Sequence, residues 1–220
     1  MIAVPASDGS AVRLVVFDLG RVLIRICDGW DDAFARAGVA PPVGEFDPLQ
    51  LRDISCRHDV GELDFKAFAA AVSAATGLAV PHIHAMSRAF LHGPYPGAVE
   101  LVDELNSRGY ATACLSNTND HHWRLMNDPA EPAYFPLSRL THRFASHLVR
   151  ARKPDPAIYA HLERETGAAP GEIVFFDDMP INIEAARNRG WQAYAVDPKS
   201  PDPVAFMRHV LAGRRAAVPE

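Results

Sequence analysis

Leu14-Val15-Val16-Phe17-Asp18-Leu19-Gly20-Arg21-Val22-Leu23 is the stretch whose reading decides the fold. Four apolar residues run directly into a carboxylate, a glycine follows two positions later, and apolar residues then resume. A continuous apolar run this short predicts a strand buried on both faces, as inside parallel sheets. The carboxyl end of such a strand opens into the crevice where ligands sit. Asp18 therefore stands where a buried strand meets a binding cleft. The simpler alternative, a turn-forming Asp paired with Gly20, has to be weighed against the rest of the chain.

Working outward, the pattern from Cys27 to about His92 is helical and carries no strand signal. Asp28 to Ala37 reads as a short helix ended by Gly38, Pro41-Pro42 marks a break, and Leu49 to Arg57 is a weaker helical stretch. Asp64 is placed to cap a helix with Phe65, Phe68, Ala69 and Val72 on one face, closed by Gly77; Pro81 opens another. Gly93-Pro94-Tyr95-Pro96-Gly97 reads as a linker. Beyond it, helices and apolar strands alternate. The strands are Ala111 to Leu115, Phe144 to Val149, Ile173 to Phe176 and Gln192 to Val196. Among the helices, Val99 to Ser107 stops before Gly109, and Asp155 caps one that opens on Pro156 and ends near Gly167. Asp128 to Thr141 is irregular. This alternation predicts an α/β fold: a Rossmann-like, doubly wound parallel sheet of five core strands. The core spans 1–26 and 93–220, with a helical cap, 27–92, inserted after the first strand.

The chain has 220 residues, 48% hydrophobic and 22% charged, enough apolar material for one full core plus an insertion. A net charge of -5 without a Lys/Arg block argues against nucleic acid and anionic membrane surfaces as partners. Cys27, Cys56 and Cys114 are odd in number and irregularly spaced, which fits neither a disulfide framework nor a zinc pattern, and Cys114 reads as a small core residue. Met1 to Arg13 lacks a leader pattern and no run reaches the length of a membrane span, so the expectation is a cytoplasmic monomer or weak homodimer.

Three of the predicted strands end in polar groups: Asp18, Ser116-Asn117 and Asp177-Asp178. Parallel strands present their ends along one edge, so these groups converge, and Lys153 ahead of a capped helix is placed to join them. Three uncompensated carboxylates repel by ~4 kcal/mol per close pair at an effective dielectric near 20. A bound cation or raised pKa values relieve that repulsion, and hard oxygen ligands of this kind suit Mg²⁺.

With these residues assembled, the chain resembles the haloacid dehalogenase superfamily of aspartate-nucleophile hydrolases over nearly its whole length. Phe17-Asp18-Leu19-Gly20 is similar to that superfamily's first motif, Leu115-Ser116-Asn117-Thr118 to its second, Lys153-Pro154 to its third, and Phe176-Asp177-Asp178 with Asn182 to its fourth. Gly61-Glu62-Leu63 and Tyr95-Pro96-Gly97 echo members with a small helical cap. The Asp-Leu-Gly form of the first motif is similar to a subgroup that includes bacterial α-D-glucose-1-phosphate phosphatases.

The resemblance implies that Asp18 is a nucleophile that forms an aspartyl-phosphate, later hydrolysed by water. It implies Mg²⁺ held by Asp18, the Gly20 carbonyl and Asp178, with Asp177 holding a metal-bound water or standing behind the ligands. Lys153 would neutralise charge, and Ser116 and Asn117 would bind phosphoryl oxygens. Arg21, directly after Gly20, is placed either to reach the substrate or to stand solvated or salt-bridged. The implied substrate is a small phosphorylated metabolite, such as a sugar phosphate.

One position departs from the pattern: many superfamily phosphatases carry a general acid where this chain has Gly20. The expectation is either a good leaving group, such as an anomeric oxygen, or a proton supplied by the cap. Competing readings are a metal-free 2-haloacid dehalogenase, a phosphosugar mutase, and a non-catalytic phosphate-binding or partner-binding protein. His82, His84, His121 and His122 lack supporting ligands and are expected to be ordinary surface histidines. Trp30, Arg57, His58 and Lys66 are candidate specificity residues of the cap.

Overall fold

The computed structural model of the chain describes residues 11–42, 46–214 and 216; most of the Met1 to Arg13 stretch, where no leader is expected, lies outside them. β1 (Leu14–Phe17) is buried at every position, which is what its unbroken apolar run demands. It lies at the centre of a five-stranded sheet, between β4 (Ala111–Ser116) and β6 (Ile173–Asp177), with β5 (His142–Ala145) and β7 (Gln192–Ala195) at the edges. Every pairing is parallel. The register sets Phe17 level with Cys114 and Phe176, so the residues after each strand emerge side by side at one edge.

Side chains alternate along the strands between two cores. Val15, Phe17, Cys114 and Phe176 pack against Leu101 and Leu105 of α5 (Ala98–Ser107) and Val204 and Met207 of α10 (Pro203–Leu211). Leu14, Val16, Leu115 and Phe175 pack on the opposite face against Ile158 and Leu162 of α8 (Pro156–Thr166) and Ile183 of α9 (Pro180–Asn188). Asp155 starts α8 as its sequence implies, its side chain accepting from the Ala157 N–H at 2.8 Å. Cys114 is fully buried in the first core, and all three cysteines are free.

Between the first two motifs lie α1 (Trp30–Ala37), α2 (Pro48–Asp59), α3 (Phe65–Thr76) and α4 (Val80–Ala89). They close on a third core of Phe34, Leu51, Ile54, Val72, Ile83 and Met86. The expected boundaries hold physically: Asp64 accepts from the Ala67 N–H at 2.7 Å, and Gly38 and Gly77 end their helices in the left-handed conformation. No single helix among the described residues is long and apolar enough to cross a membrane; α3 and α4 pass only jointly, bent by 113°, and both face the cap core.

The structure differs from the sequence reading in four places. The linker begins as a strand, β3 (Leu91–Pro94), paired antiparallel with β2 (Ile24–Ile26), with an irregularity between Arg25 and Ile26. This ribbon carries the chain into and out of the cap. Its sequence hides it because Gly and Pro fill half of β3, which is tolerated in a two-stranded edge ribbon. The strand expected over Phe144 to Val149 is β5 followed by a helical turn, α7 (Ser146–Val149). There the Ser146 hydroxyl accepts from the Thr118 N–H at 2.9 Å and lies 2.5 Å from the Asp59 carbonyl, long-range bonds that tie this turn to the segment after β4 and to the end of α2. Two helices escaped the reading, α6 (Asp120–Asn127) and α10. Within the irregular Asp128 to Thr141 segment, Leu137–Arg139 forms a single tight turn of helix.

Gly93 shows how closely the ribbon packs on the core. Its φ is +90°, and a Cβ there would lie 2.6 Å from the Pro132 carbonyl oxygen. Gly77 has a φ of +72° but open space around it. We expect Gly93→Ala to lower unfolding free energy by at least ~2 kcal/mol, against ~1 kcal/mol for Gly77→Ala, as read from urea denaturation midpoints.

Candidate active site

Asp18 immediately follows β1, and its backbone N–H remains in the ladder, donating to the Phe176 carbonyl at 2.8 Å. Its Oδ1 accepts from the Leu19 N–H at 2.7 Å and lies 3.0 Å from Lys153 Nζ. Oδ2 has no protein partner among the described residues, so one oxygen is fixed while the other stays open. Lys153 is 1% exposed and also meets Asp177 Oδ2 at 2.6 Å. Asp177, fully buried, accepts further bonds from the Met179 N–H and from Asn182 Nδ2 at 2.8 Å and 3.0 Å. Its oxygens are already taken by protein donors, so Asp177 anchors Lys153 from behind instead of facing the cleft.

Asp178 lies on the cleft side, where Arg21 Nη1 approaches its Oδ2 at 3.5 Å. Arg21 is held by its own turn, at a φ of +58° unusual for a residue with a side chain, and Nη2 donates to the Cys27 carbonyl at 3.1 Å. Ser116 is buried at the end of β4. Asn117 is placed differently from the expectation that its side chain binds phosphoryl oxygens. Its Nδ2 donates to the Lys153 carbonyl at 2.9 Å and its Oδ1 accepts from the Lys153 N–H at 2.8 Å, so both ends of the amide are spent positioning Lys153. At Gly20 a Cβ would meet Ile26 Cδ1 at 3.0 Å, so a larger residue there has to shift the Ile26 side chain at the end of β2.

The charges explain the titration. Burial pushes the Asp18 carboxyl up to about 6; Lys153 pulls it down, and Asp177 and Asp178 push it up again. Asp178 is also raised, by burial and by Asp177, although Arg21 opposes this. Burial alone would lower Lys153, but the carboxylates of Asp177 and Asp18 outweigh it and raise its pKa. Carboxylate oxygens of Asp18, Asp177 and Asp178 lie within 4.8 Å of one another. Even with two cations present, both cleft-facing acids are held reluctant to ionise. An open Asp18 oxygen, a raised Asp178 and hard donors only are what a divalent cation such as Mg²⁺ requires.

Residues 12–190 match the haloacid dehalogenase-like hydrolase family. The chain belongs to that family. It is 26% identical over 172 residues to Phosphatase MT3486 of Mycobacterium tuberculosis, covering 76% of this chain and 65% of that protein. It is 28% identical over 113 residues to (S)-2-haloacid dehalogenase 4A of Burkholderia cepacia, covering 50% and 46%. The match thus spans under two thirds of either curated relative. A haloacid dehalogenase-family enzyme of Bacteroides thetaiotaomicron, solved with magnesium and inorganic phosphate, shares the fold at a TM-score of 0.71 and 21% identity, over 86% of this chain and 96% of that one.

Between cap and core the hydrolase holds a cavity of about 370 Å³ that reaches Asn117. Trp30, Phe68 and Phe90 supply its apolar wall, and His58, Asp59 and Arg152 its polar groups. Of the specificity residues expected from sequence, Trp30 and His58 line it. Arg57 instead pairs with Asp53 and Glu62, and exposed Lys66 is not among the lining residues. Asp59 and Arg152 were not foreseen, because nothing in a lone helix-end Asp signals a cavity. Their carboxylate and guanidinium are 3.7 Å apart. Burial pushes Asp59 up to about 6, against Arg152 and a hydrogen bond from Asn119. His121 and His122 also depart from the surface expectation. His122 stacks on Phe90 and bonds Ser87, His121 stacks on Phe65, and burial lowers them to about 3 and 4. Packing against α3 and α4 leaves these rings only partly exposed.

Asp18 binds its proton more tightly folded than unfolded, so the folded chain loses stability as pH rises from 3.8 to about 6 and bears the full penalty above that. Lys153 keeps Asp177 as a partner when Asp18 is neutralised. Asp18→Asn should therefore stabilise the EDTA-treated protein by about 1–3 kcal/mol at pH 8 and hardly at all near pH 4, measured by urea unfolding at both pH values.

Proposed function

We propose that this hydrolase cleaves a small phosphomonoester, with Mg²⁺, through an aspartyl-phosphate on Asp18. The observation that carries this reading is the Asp18 carboxylate, tethered at Oδ1 and open at Oδ2, beside a buried ammonium and a second cleft-facing acid. A carboxylate approaching a phosphate dianion meets roughly 8 kcal/mol of repulsion by the Coulomb estimate at an effective dielectric near 20. Mg²⁺ held by Asp18, Asp178 and the Gly20 carbonyl would offset that repulsion and orient the phosphoryl group.

The chain's own groups account for the remaining steps. The Asp18 oxygen attacks phosphorus, the bond to the leaving oxygen breaks, and that oxygen takes up a proton. Water then attacks phosphorus, releasing inorganic phosphate and restoring the carboxylate. Lys153 spreads the charge that develops at Asp18, and Ser116, the Asn117 backbone and Arg21 are the candidate phosphoryl contacts. Gly20 supplies no proton. Asp59, half-buried in the lining of the cap cavity with a carboxyl raised to about 6, is our candidate for the cap-borne acid.

A sugar phosphate such as glucose-1-phosphate suits a cavity with aromatic faces for C–H groups and polar groups for hydroxyls. The expected result is EDTA-sensitive phosphate release from p-nitrophenyl phosphate and glucose-1-phosphate, lost in Asp18→Asn, with no chloride released from 2-chloropropionate. EDTA-resistant chloride release would overturn the reading in favour of a dehalogenase, and silence on every substrate in favour of a binding protein. Asp59→Asn should lower kcat/KM on glucose-1-phosphate by about 10²-fold while sparing p-nitrophenyl phosphate, whose leaving group needs no proton. Equal losses on both substrates would remove Asp59 from that role.

A further inference from the structure

The ribbon that joins cap to core carries a second cluster of ligand-type side chains, separate from Asp18 and its neighbours. Cys27 directly follows β2, His92 lies on β3, and Asp32 lies in the first turn of α1. Cys27 Sγ and His92 Nε2 are 3.2 Å apart, and the ligand atoms of all three residues fall within 4.8 Å of one another. Cys27 is fully buried, while Asp32 and His92 are partly accessible, which gives an ion a path from solvent.

We propose that Cys27, Asp32 and His92 form a site for a borderline-soft divalent cation, of which Zn²⁺ is the type. A thiolate, an imidazole and a carboxylate are the donor set such an ion prefers, with a fourth position left for water. At Zn–S and Zn–N lengths near 2.3 and 2.0–2.1 Å, a tetrahedral ion sets sulfur and nitrogen about 3.5 Å apart. The observed 3.2 Å requires only a small separation of the two side chains. Thiolate and carboxylate together cancel the charge of the ion, so the nearby guanidinium groups of Arg25 and Arg36 meet a neutral centre and not an added cation.

The thiol does not ionise unaided. Burial and the Asp32 carboxyl push Cys27 up to about 11, so at neutral pH it is protonated and a poor nucleophile. Metal binding exchanges the S–H bond for a metal–sulfur bond and releases the proton to solvent, with no redox change. This sets the cluster apart from a cysteine nucleophile with its base. Sequence spacing conceals the site, because Cys27 and His92 lie 65 positions apart and meet only through ribbon pairing. Cys27 N–H donates to the Phe90 carbonyl at 2.9 Å, and that bond brings the two crossings together. An ion here would tie both crossings and the first cap helix to one centre.

The proposal does not depend on the phosphatase reading, and its test can be run in a chain without that activity. Cobalt(II) is titrated into full-length Asp18→Asn protein carrying Cys56→Ala, which removes the partly accessible thiol. The expected result is about one equivalent bound with a thiolate-to-cobalt charge-transfer band in the near ultraviolet, displaced by Zn²⁺. Cys27→Ser should abolish the band, and His92→Gln and Asp32→Asn should each weaken binding at least about tenfold. Absence of the band, or its survival in Cys27→Ser, overturns the site. If Cys27→Ser fails to fold by circular dichroism, unchanged cobalt affinity in both His92→Gln and Asp32→Asn overturns it instead.

Discussion

A single buried ammonium organises the site. Lys153 reaches the end of β1 through Asp18 and the end of β6 through Asp177, and its backbone is gripped by the Asn117 amide at the end of β4. Three neighbouring strands are thus tied together by one residue that lies outside the sheet. Removing one partner of a buried ion pair leaves an uncompensated charge, a loss of roughly 3–5 kcal/mol. That scale explains why so much polar machinery, including Asn182 and the Met179 N–H, is devoted to holding Asp177 in place. The arrangement keeps Asp18 ionisable without neutralising it, which leaves negative charge facing the cleft.

The division of labour among the acids follows from position within the strand ends. Asp177 is the last residue of β6 and inherits its burial, whereas Asp178 is one residue further and turns toward the opening. Adjacent carboxylates therefore play opposite parts, one anchoring a lysine and the other available to a ligand. Arg21 balances the second acid only at long range, through a turn strained enough to hold it there.

Much of this was legible in the chain itself. Buried parallel strands read as unbroken apolar runs, and their polar endings named Asp18, Ser116 and Asp177-Asp178 before any coordinates. Helix ends at Gly38, Gly77 and Asp155 were readable because capping is a local interaction. What escaped depends on contacts between distant segments. The β2–β3 ribbon hides behind Gly93 and Pro94, and the side-chain amide of Asn117, expected at the phosphate, faces Lys153 and leaves only its backbone toward the cleft as a candidate. Asp59 and Arg152 become cavity residues only when α2 docks on the core, a juxtaposition with no periodic signature. His121 and His122 looked solvated because polar rings usually are; here they stack beneath the cap.

The ribbon also bears on how the fold can change over evolutionary time. Because Ile26 and Leu91 are paired across it, the cap leaves and rejoins the core at adjoining points. Everything between those points forms a closed excursion whose ends are already stapled, so its length and content can drift without altering the spacing of the strands beneath. The sheet and the strand ends that carry Asp18 are thereby insulated from changes in the segment above them.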